Sequence, residues 1–216
     1  MKEALFSLYQ HWHQDFMTVR SCLGQHEISG PFLVSPSPLV RLQKNRLLIV
    51  GQAANCWNNN VDDLHMQMQA YDYFNVGKSL NSVPFWNVVR KIEKVLKNEP
   101  YSTAWTNIKR FDFDVQIPVT PSRKIISTLD DILIDEIRII KPAYCIFFTG
   151  PSLDRRLGNI FEGIRFQPVP GWDSRKLVKL KHPALPKNTY RASHPNYLRR
   201  HGFELKFIDF LEGIID

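Results

Sequence analysis

Two short apolar runs, each ending at a turn, place the strongest constraint on the fold of this chain. Residues 47–50 (Leu-Leu-Ile-Val) are followed at once by Gly51, and residues 144–148 (Tyr-Cys-Ile-Phe-Phe) by Thr149 and Gly150. Neither run alternates apolar with polar residues, which is typical of a strand covered on both faces in a parallel sheet. Because parallel strands need long crossovers, the chain must also supply helices that cover such a sheet.

Apolar residues recur at helical spacing elsewhere along the chain. We predict helices over residues 3–23, 84–97, 125–140 and 203–214, and further strands over residues 104–108, 164–169, 177–180 and 189–193. Residues 29–38 predict an extended connection, and the polar stretch that begins at Asn58 predicts a loop or a short helix. Strands that alternate with helices favour an α/β fold, here a three-layer α/β/α sandwich with a mostly parallel central sheet.

Length and composition limit the classes of protein that remain. The 216 residues favour one domain, 1–216, with helix 3–23 at its N-terminus. Three scattered cysteines disfavour a disulfide framework, a four-cysteine zinc site and an iron–sulfur cluster, so we expect no metal and no cofactor. With no stretch of about 20 apolar residues and no signal-peptide pattern, we expect a cytoplasmic monomer that does not enter a membrane.

The positive charge is concentrated in one part of the sequence. The net charge is +7, and residues 175–206 alone hold nine Lys and Arg against one acid, Glu204. His and Tyr residues are interspersed among these cations. The cluster is explained equally well by a phosphate-contacting face and by a solvated basic surface. A nucleic acid is therefore one of two open interpretations of the charge.

The predicted topology limits where a ligand would bind, since ligands of open α/β sheets bind beyond the carboxyl ends of the strands. Gly51-Gln52 follows the first strand, where glycine allows the backbone to approach a ligand closely. Asn107 ends the second strand, and its amide offers a donor and an acceptor to one base edge. Taken alone, Gly51 is more simply a strand-end turn and Asn107 a residue that bonds its own loop.

A third motif, His194-Pro-Asn-Tyr-Leu-Arg-Arg200, lies inside the basic stretch. Histidine can donate a hydrogen bond to a developing anion, and an exposed Leu198 beside two arginines could enter a base stack. The alternative is a helix start at which Leu198 is simply buried. The pair His182-Pro183 lacks the Leu-Arg sequel and is the second choice.

These three segments, in this order, resemble the uracil-DNA glycosylase superfamily. More closely, they resemble a bacterial branch in which the first motif is similar to Gly-Gln-Glu-Thr-Asn-Gly-Trp and the last to His-Pro-Asn-Tyr-Leu-Arg-Arg. The likeness runs in ordered fragments from Leu47 to Gly202. It implies hydrolysis of the N-glycosidic bond of uracil or a damaged pyrimidine in single- or double-stranded DNA, as in base-excision repair.

The resemblance also implies a role for each candidate residue. The catalytic candidates are His194, Asn55 and Gln52; the base-binding candidates are Gly51, Gln52, Asn107, Tyr71 and Phe74; the DNA-binding candidates are Leu198, Arg199, Arg200, Lys109 and Arg191. His194 would donate to the base oxygen as the bond breaks, and Asn107 would read the pyrimidine edge. Tyr71 or Phe74 would stack on the base, although core packing explains both equally well.

One position departs from the family pattern. Ala53 stands where members commonly carry Asp, Asn or Glu to position water. A methyl group can neither position water nor deprotonate it. Asn55 could orient water instead, and Asp62, Asp63, Asp112 and Asp114 are possible remote carboxylates. Two other functions therefore stay open: an inactive DNA- or nucleobase-binding module of this fold, and an unrelated α/β enzyme acting on a nucleotide or small anion.

Overall fold

The structure, a computed structural model, describes residues 1–23, 28–53, 57, 62–113 and 124–215. The strands that it contains are β1 (Ile28–Ser29), β2 (Leu47–Gly51), β3 (Ala104–Asn107), β4 (Asp112–Phe113), β5 (Tyr144–Phe147), β6 (Arg165–Pro168), β7 (Leu177–Lys181) and β8 (Asn188–Ala192). Six of them form one sheet in the order β3-β2-β5-β8-β7-β6, and β1 pairs with β4 separately. The first four strands of the order are parallel, whereas β7 is antiparallel to both neighbours. The predicted α/β class with a mostly parallel sheet is confirmed.

Helices pack on both faces of this sheet. They are α1 (Lys2–His11), α2 (His13–Cys22), α3 (Pro38–Leu42), α4 (Leu64–Phe74), α5 (Pro84–Val95), α6 (Ile132–Ile140), α7 (Asp154–Ile160), α8 (Pro195–Arg200) and α9 (Glu204–Glu212), with 3₁₀ turns at Asn75–Leu80 and Pro151–Leu153. Their apolar side chains and those of the sheet share one hydrophobic cluster. No helix in the described ranges is both long enough and apolar enough to span a membrane.

Alternate residues of β3 define the two faces, because successive side chains of a strand point to opposite sides. On what we call the α5 face, the Trp105 ring lies 5.0 Å from the ring of Trp86 in α5. On the opposite α6 face, Thr106 donates a hydrogen bond to Glu136 of α6. Arg156 of α7 pairs with Asp130, which precedes α6, so α7 belongs to the α6 face as well.

Two predicted helices are interrupted. The single helix 3–23 is wrong: Trp12, at φ −88° and ψ 1°, ends α1 and precedes α2. Each half buries its own apolar pair, Leu5 with Tyr9 and Phe16 with Val19, so the periodicity continues across a break that the sequence does not reveal. Helix 125–140 is likewise interrupted: residues 124–127 are helical, a turn over 128–131 holds Asp130 against Arg156, and α6 begins at Ile132.

The parallel strands bring their carboxyl ends to one end of the sheet. The chain leaves β2 towards α4 and α5 on one face, and leaves neighbouring β5 towards α7 on the other. Connections that diverge from adjacent strands create the crevice in which α/β proteins bind ligands. The loops that follow β2, β3, β5 and β8 therefore meet where the sequence placed its candidate motifs.

Candidate functional site

Gly51 and Asn107 form the floor of the candidate site. They are partners in the parallel β2–β3 register. A Cβ atom added to Gly51 would lie 2.2 Å from Asn107 Oδ1, so only glycine allows the amide to occupy this position. The absence of a side chain at residue 51 thus serves the placement of the Asn107 amide, and not merely the turn.

The Asn107 amide is buried without a partner. The residue is 1% exposed, yet neither Oδ1 nor Nδ2 has a hydrogen-bond partner in the described part of the chain. Buried polar side-chain atoms are bonded in the large majority of cases, and each exception needs an explanation. The alternative that Asn107 bonds its own loop is therefore not what this structure contains.

Two further unpartnered polar atoms lie at the same end of the sheet. Trp105, 6% exposed, has its Nε1 within 3.3 Å of the Cβ position at Gly51, and this N–H donates to none of the described residues. Thr149 follows β5 and is fully buried, with Oγ1 equally unpartnered. Donors and acceptors that lack protein partners accumulate here, which is the arrangement expected of a polar ligand site.

Gln52 bridges the ends of β2 and β5. Its Nε2 donates to the carbonyl oxygen of Thr149 at 3.1 Å, while its own carbonyl accepts from the Lys109 N–H at 3.0 Å. The side chain is exposed. Gln52 is thereby held at the crevice, and its Oε1 has no partner among the residues described.

His194 lies at the same end, at the N-cap of α8. Its Nδ1 accepts the Asn196 N–H at 3.2 Å, which leaves the proton of the neutral ring on Nε2. Burial lowers the pKa of His194, so the neutral form is favoured. The ring packs 5.6 Å from that of Phe85. The competing His182 is engaged at both ring nitrogens, with the Glu162 carbonyl and the Ala184 N–H, which suits a structural role.

Aromatic side chains connect His194 to the floor of the site. The Phe85 ring lies 6.4 Å from that of Trp105, and the Phe74 ring lies 5.4 Å from it. Phe74 also contacts Trp57. Tyr71, by contrast, is buried and its hydroxyl accepts the Trp105 backbone N–H at 2.8 Å. The prediction that Tyr71 stacks on a base is therefore replaced by a structural role beneath Trp105.

Two predicted DNA-binding residues are wrong. Leu198 is 0% exposed within α8, which packs against α5 and α9, so it cannot enter a base stack. Arg191 is 2% exposed, and its guanidinium binds both carboxylate oxygens of Asp154 at 2.9 Å. Leu198 is part of the apolar core, and Arg191 is part of a buried ion pair. The spacing of residues in the sequence reveals neither role.

The other residues predicted to contact DNA differ in their exposure and in the partners that they already have. Arg199 is exposed but donates to Glu204 at 2.7 Å, which lowers the pKa of that carboxyl, and to Asn87. Arg200 is exposed, and no described residue pairs with it. Lys109 is half-buried beside Gln52. The predicted catalytic Asn55 lies outside the described residues.

The structure places two of the four candidate carboxylates at secondary-structure elements. Asp63 accepts the Met66 N–H as the N-cap of α4, and Asp112 lies on β4 opposite Ser29. Asp62 is exposed, and Asp114 is outside the described residues. Within the described ranges, no group of three or more His, Cys, Asp or Glu is arranged to hold a metal ion.

The basic stretch is divided between the two ends of the sheet, because β7 runs antiparallel to β8. Lys176 lies at the carboxyl end, where its carbonyl accepts the Ser193 N–H. Lys181 pairs in register with Arg165 near the opposite end, where two adjoining cavities of about 330 and 540 Å³ share His182, Pro183, Leu185 and Pro186. The sequence cluster therefore does not correspond to one continuous phosphate-binding face.

Sequence reasoning missed three residues of the site. Trp105 could have been found, since it precedes Asn107 by two residues in a strand and must share its face. Thr149 follows β5, and this position just beyond the end of a strand indicates a site residue less strongly than the face that Trp105 shares with Asn107. Nothing in the sequence distinguished Phe85, at the start of α5, from a core residue.

Comparison with known proteins adds no assignment. A scan against protein-family models finds no family that matches this chain, and a search of curated proteins finds no significantly similar sequence.

Proposed function

We propose that this protein is a DNA glycosylase-like hydrolase that releases uracil or a damaged pyrimidine from DNA. The resemblance of its three motifs to the uracil-DNA glycosylase superfamily motivates the proposal. Its structural support is that the loops bearing these motifs lie at one end of a parallel sheet.

The observation that carries the proposal is the unpartnered amide of Asn107 above Gly51. A flipped base is read by hydrogen bonds to its pairing edge and by stacking between flat apolar groups. The amide supplies one acceptor and donors for that edge. Phe74 and Phe85 pack against Trp105 next to the amide and are the flat apolar groups assigned to this stacking. The amide is closed to solvent in this structure. A base can therefore bind to it only after the groups that shield the amide have moved.

The proposed reaction adds water to the sugar carbon as its bond to the base nitrogen breaks. The electron pair of that bond passes to the base, and the negative charge develops on an exocyclic carbonyl oxygen of the pyrimidine. The water loses one proton to solvent as it bonds to the sugar carbon, and a solvent proton neutralises the departed base. His194 donates its Nε2 proton as a hydrogen bond to this oxygen, since Nδ1 is already occupied by the Asn196 N–H. One fixed donor of this kind contributes about 3–4 kcal/mol to catalysis in other enzymes. Gln52 Oε1 is available to accept a hydrogen bond from the water.

A second candidate function is a DNA- or nucleobase-binding module of the same fold. Ala53 favours it, because a methyl group at this position cannot take a proton from water. General-base assistance is worth about 10²–10⁴-fold, so its loss predicts slow catalysis rather than none.

A single-turnover assay on uracil-containing oligonucleotides, single- and double-stranded, tests the proposal. We expect slow base release by the wild-type protein and none above background by Asn107→Ala. The matched control is Asn188→Ala, which makes the same change at the start of β8, the opposite end of the sheet.

The outcomes separate the two candidates. Release that Asn107→Ala abolishes and Asn188→Ala preserves supports the glycosylase. No release from folded wild-type protein, together with salt-dependent DNA binding, refutes the enzymatic proposal and favours the binding module.

A further inference from the structure

The amino end of the sheet carries a groove that the proposed function does not use. It consists of the two adjoining cavities of about 330 and 540 Å³. Their common wall is the connection between β7 and β8, which includes the pair His182-Pro183 that the candidate site leaves out. The groove lies at the opposite end of the sheet from Asn107, so a partner bound there would not occupy the crevice.

The common wall is held in place by its own hydrogen bonds. His182 Nδ1 accepts the Ala184 N–H at 3.1 Å, and its Nε2 lies 3.1 Å from the carbonyl oxygen of Glu162, to which it donates. The Leu185 N–H donates to the carbonyl oxygen of His182 at 3.0 Å. A wall that is already ordered adds little to the entropic cost of binding a partner.

Helix α6 supplies the second wall of the larger cavity. The residues that line it are Ile134, Ile137 and Arg138 of the helix and Lys141 directly after its end. Their spacing of three and four residues places them in one stripe along the helix. The two isoleucines make this wall apolar, whereas Arg138 and Lys141 are exposed. The groove thus combines apolar walls with cations that reach solvent.

The exposed cations lie on both sides of the common wall. Three of them line only the smaller cavity and two only the larger one: Arg165, Lys181 and Lys187, and Arg138 and Lys141. Arg138 pairs with Asp135 at 2.5 Å, and the other four have no ion-pair partner among the described residues. None of the described residues that line the two cavities is Asp or Glu, so the charge of the groove calls for an anionic partner.

The lining of the groove favours a peptide over a nucleic acid. Single-stranded nucleic acids gain affinity when their bases stack on aromatic side chains. None of the described lining residues is Phe, Tyr or Trp, and the ring of His182 already packs 5.4 Å from that of Phe161. Apolar side chains of a peptide gain from burial against Ile, Leu and Pro, whereas a base edge there would lose its hydrogen bonds to water.

We propose that this groove is a docking site for an acidic peptide segment of another protein. Apolar side chains of the segment enter the two cavities, and carboxylates on either side of them face the five cations. Burial of the apolar side chains supplies most of the affinity, because exposed ion pairs each contribute little. The cations accelerate association and select an acidic segment over others.

The test titrates the full chain with the synthetic peptide Asp-Glu-Asp-Leu-Ala-Leu-Asp-Glu-Asp and records ¹H–¹⁵N spectra. We expect saturable shifts in residues 134–141 and 180–187 and none in residues 194–200. The double variant Lys181→Glu/Lys187→Glu should weaken binding at least about tenfold, because like charges then face the peptide. The matched control is Arg175→Glu/Arg200→Glu, which reverses two exposed cations at the carboxyl end of the sheet and should leave the affinity unchanged.

Two altered peptides separate the apolar contribution from the charge. Replacing both leucines by serine, or every acid by its amide, should each weaken binding at least about tenfold. This pattern, together with the effects of the two double variants, supports the proposal whether or not the protein releases a base from DNA.

Four results overturn the proposal. They are the absence of saturable binding, shifts centred on residues 194–200, equal binding of the serine peptide, and tighter binding of a thymine oligonucleotide at residues 180–187 than of the acidic peptide. Equal binding of the serine peptide would show that the cations act as an unspecific basic surface. Tighter binding of the oligonucleotide would assign the groove to nucleic acid.

Discussion

The two sides of strand β3 treat buried polar groups in opposite ways. On the α6 face, both oxygens of Glu136 accept two hydrogen bonds each, from Arg110, Thr106 and Tyr9 at 2.6–2.8 Å. On the α5 face, one residue further along the strand, the Asn107 amide and the Trp105 indole N–H are buried and have no partner in the described chain. Burial is equally deep on both sides, so depth alone does not explain the difference.

The contrast separates a structural role from a binding role. A buried charge is tolerated only when it is paired and hydrogen-bonded, and Glu136 meets that condition at both oxygens, although Nε of Arg110 has no partner in the described chain. Burial raises the pKa of Tyr9 well above its ordinary value, and the negative charge of Glu136 adds to this. The buried polar groups on the α5 face lower the stability of the fold, because no hydrogen bond within the described chain offsets the loss of their contact with water. Such a cost is expected where the partner is a ligand.

The largest expected effect is on stability. Glu136→Gln should lower the free energy of unfolding by about 3–5 kcal/mol, because it leaves the Arg110 guanidinium buried without its counter-charge. Asn107→Ala should change it by no more than about 1 kcal/mol, because the unpartnered amide contributes no hydrogen bond. Urea unfolding measures both. Equal losses in the two variants would show that Asn107 is a structural residue and remove the contrast.

The next effect concerns catalysis and its pH dependence. His194→Ala should slow base release by about 10²–10³-fold through loss of one fixed donor. Because burial lowers the pKa of His194 below its ordinary value, the neutral ring predominates from pH 8 down to 6.5. The wild-type rate should therefore change little there and fall mainly at lower pH, where the protonated ring also destabilises the fold. A rate that rises as the pH falls from 8 would contradict a neutral donor.

The sequence predicts where the site residues lie better than it predicts which buried polar groups are paired. Buried strands without alternation and the carboxyl-end motifs correctly predicted the sheet and the shared location of Gly51, Gln52, Asn107 and His194, because parallel pairing alone dictates it. Which polar groups are paired depends on contacts between distant segments. Arg110 and Glu136 are 26 residues apart, and Arg191 and Asp154 are 37 apart. No local pattern shows that Arg191 pairs with Asp154 or that Leu198 is buried in the core. Both residues were predicted to contact DNA for that reason.

A smaller effect is expected from moving a carboxylate to the α5 side. Glu136 is neutralised by Arg110 on the α6 face, and Ala53 follows β2 and Gln52 at the carboxyl end of the sheet. Ala53→Asp should raise the single-turnover rate about tenfold, a fraction of full general-base assistance because the position is not otherwise adapted. Ala53→Asn, of matched size, should give less. An unchanged or lower rate in folded Ala53→Asp would exclude this position from the water site.

The smallest expected effect extends the comparison from β3 to the two ends of the sheet. Arg200 is exposed just beyond His194, whereas Lys181 is exposed near the opposite end and lines the 330 Å³ cavity. Each phosphate contact contributes about 0.9 to the slope of log affinity against log salt concentration. Arg200→Ala should therefore reduce that slope by about one, and Lys181→Ala should leave it unchanged, as measured by fluorescence anisotropy on a single-stranded oligonucleotide. The reverse result would place DNA across the amino end of the sheet, away from Asn107, and the polar groups of the α5 face would then need a ligand other than a DNA base.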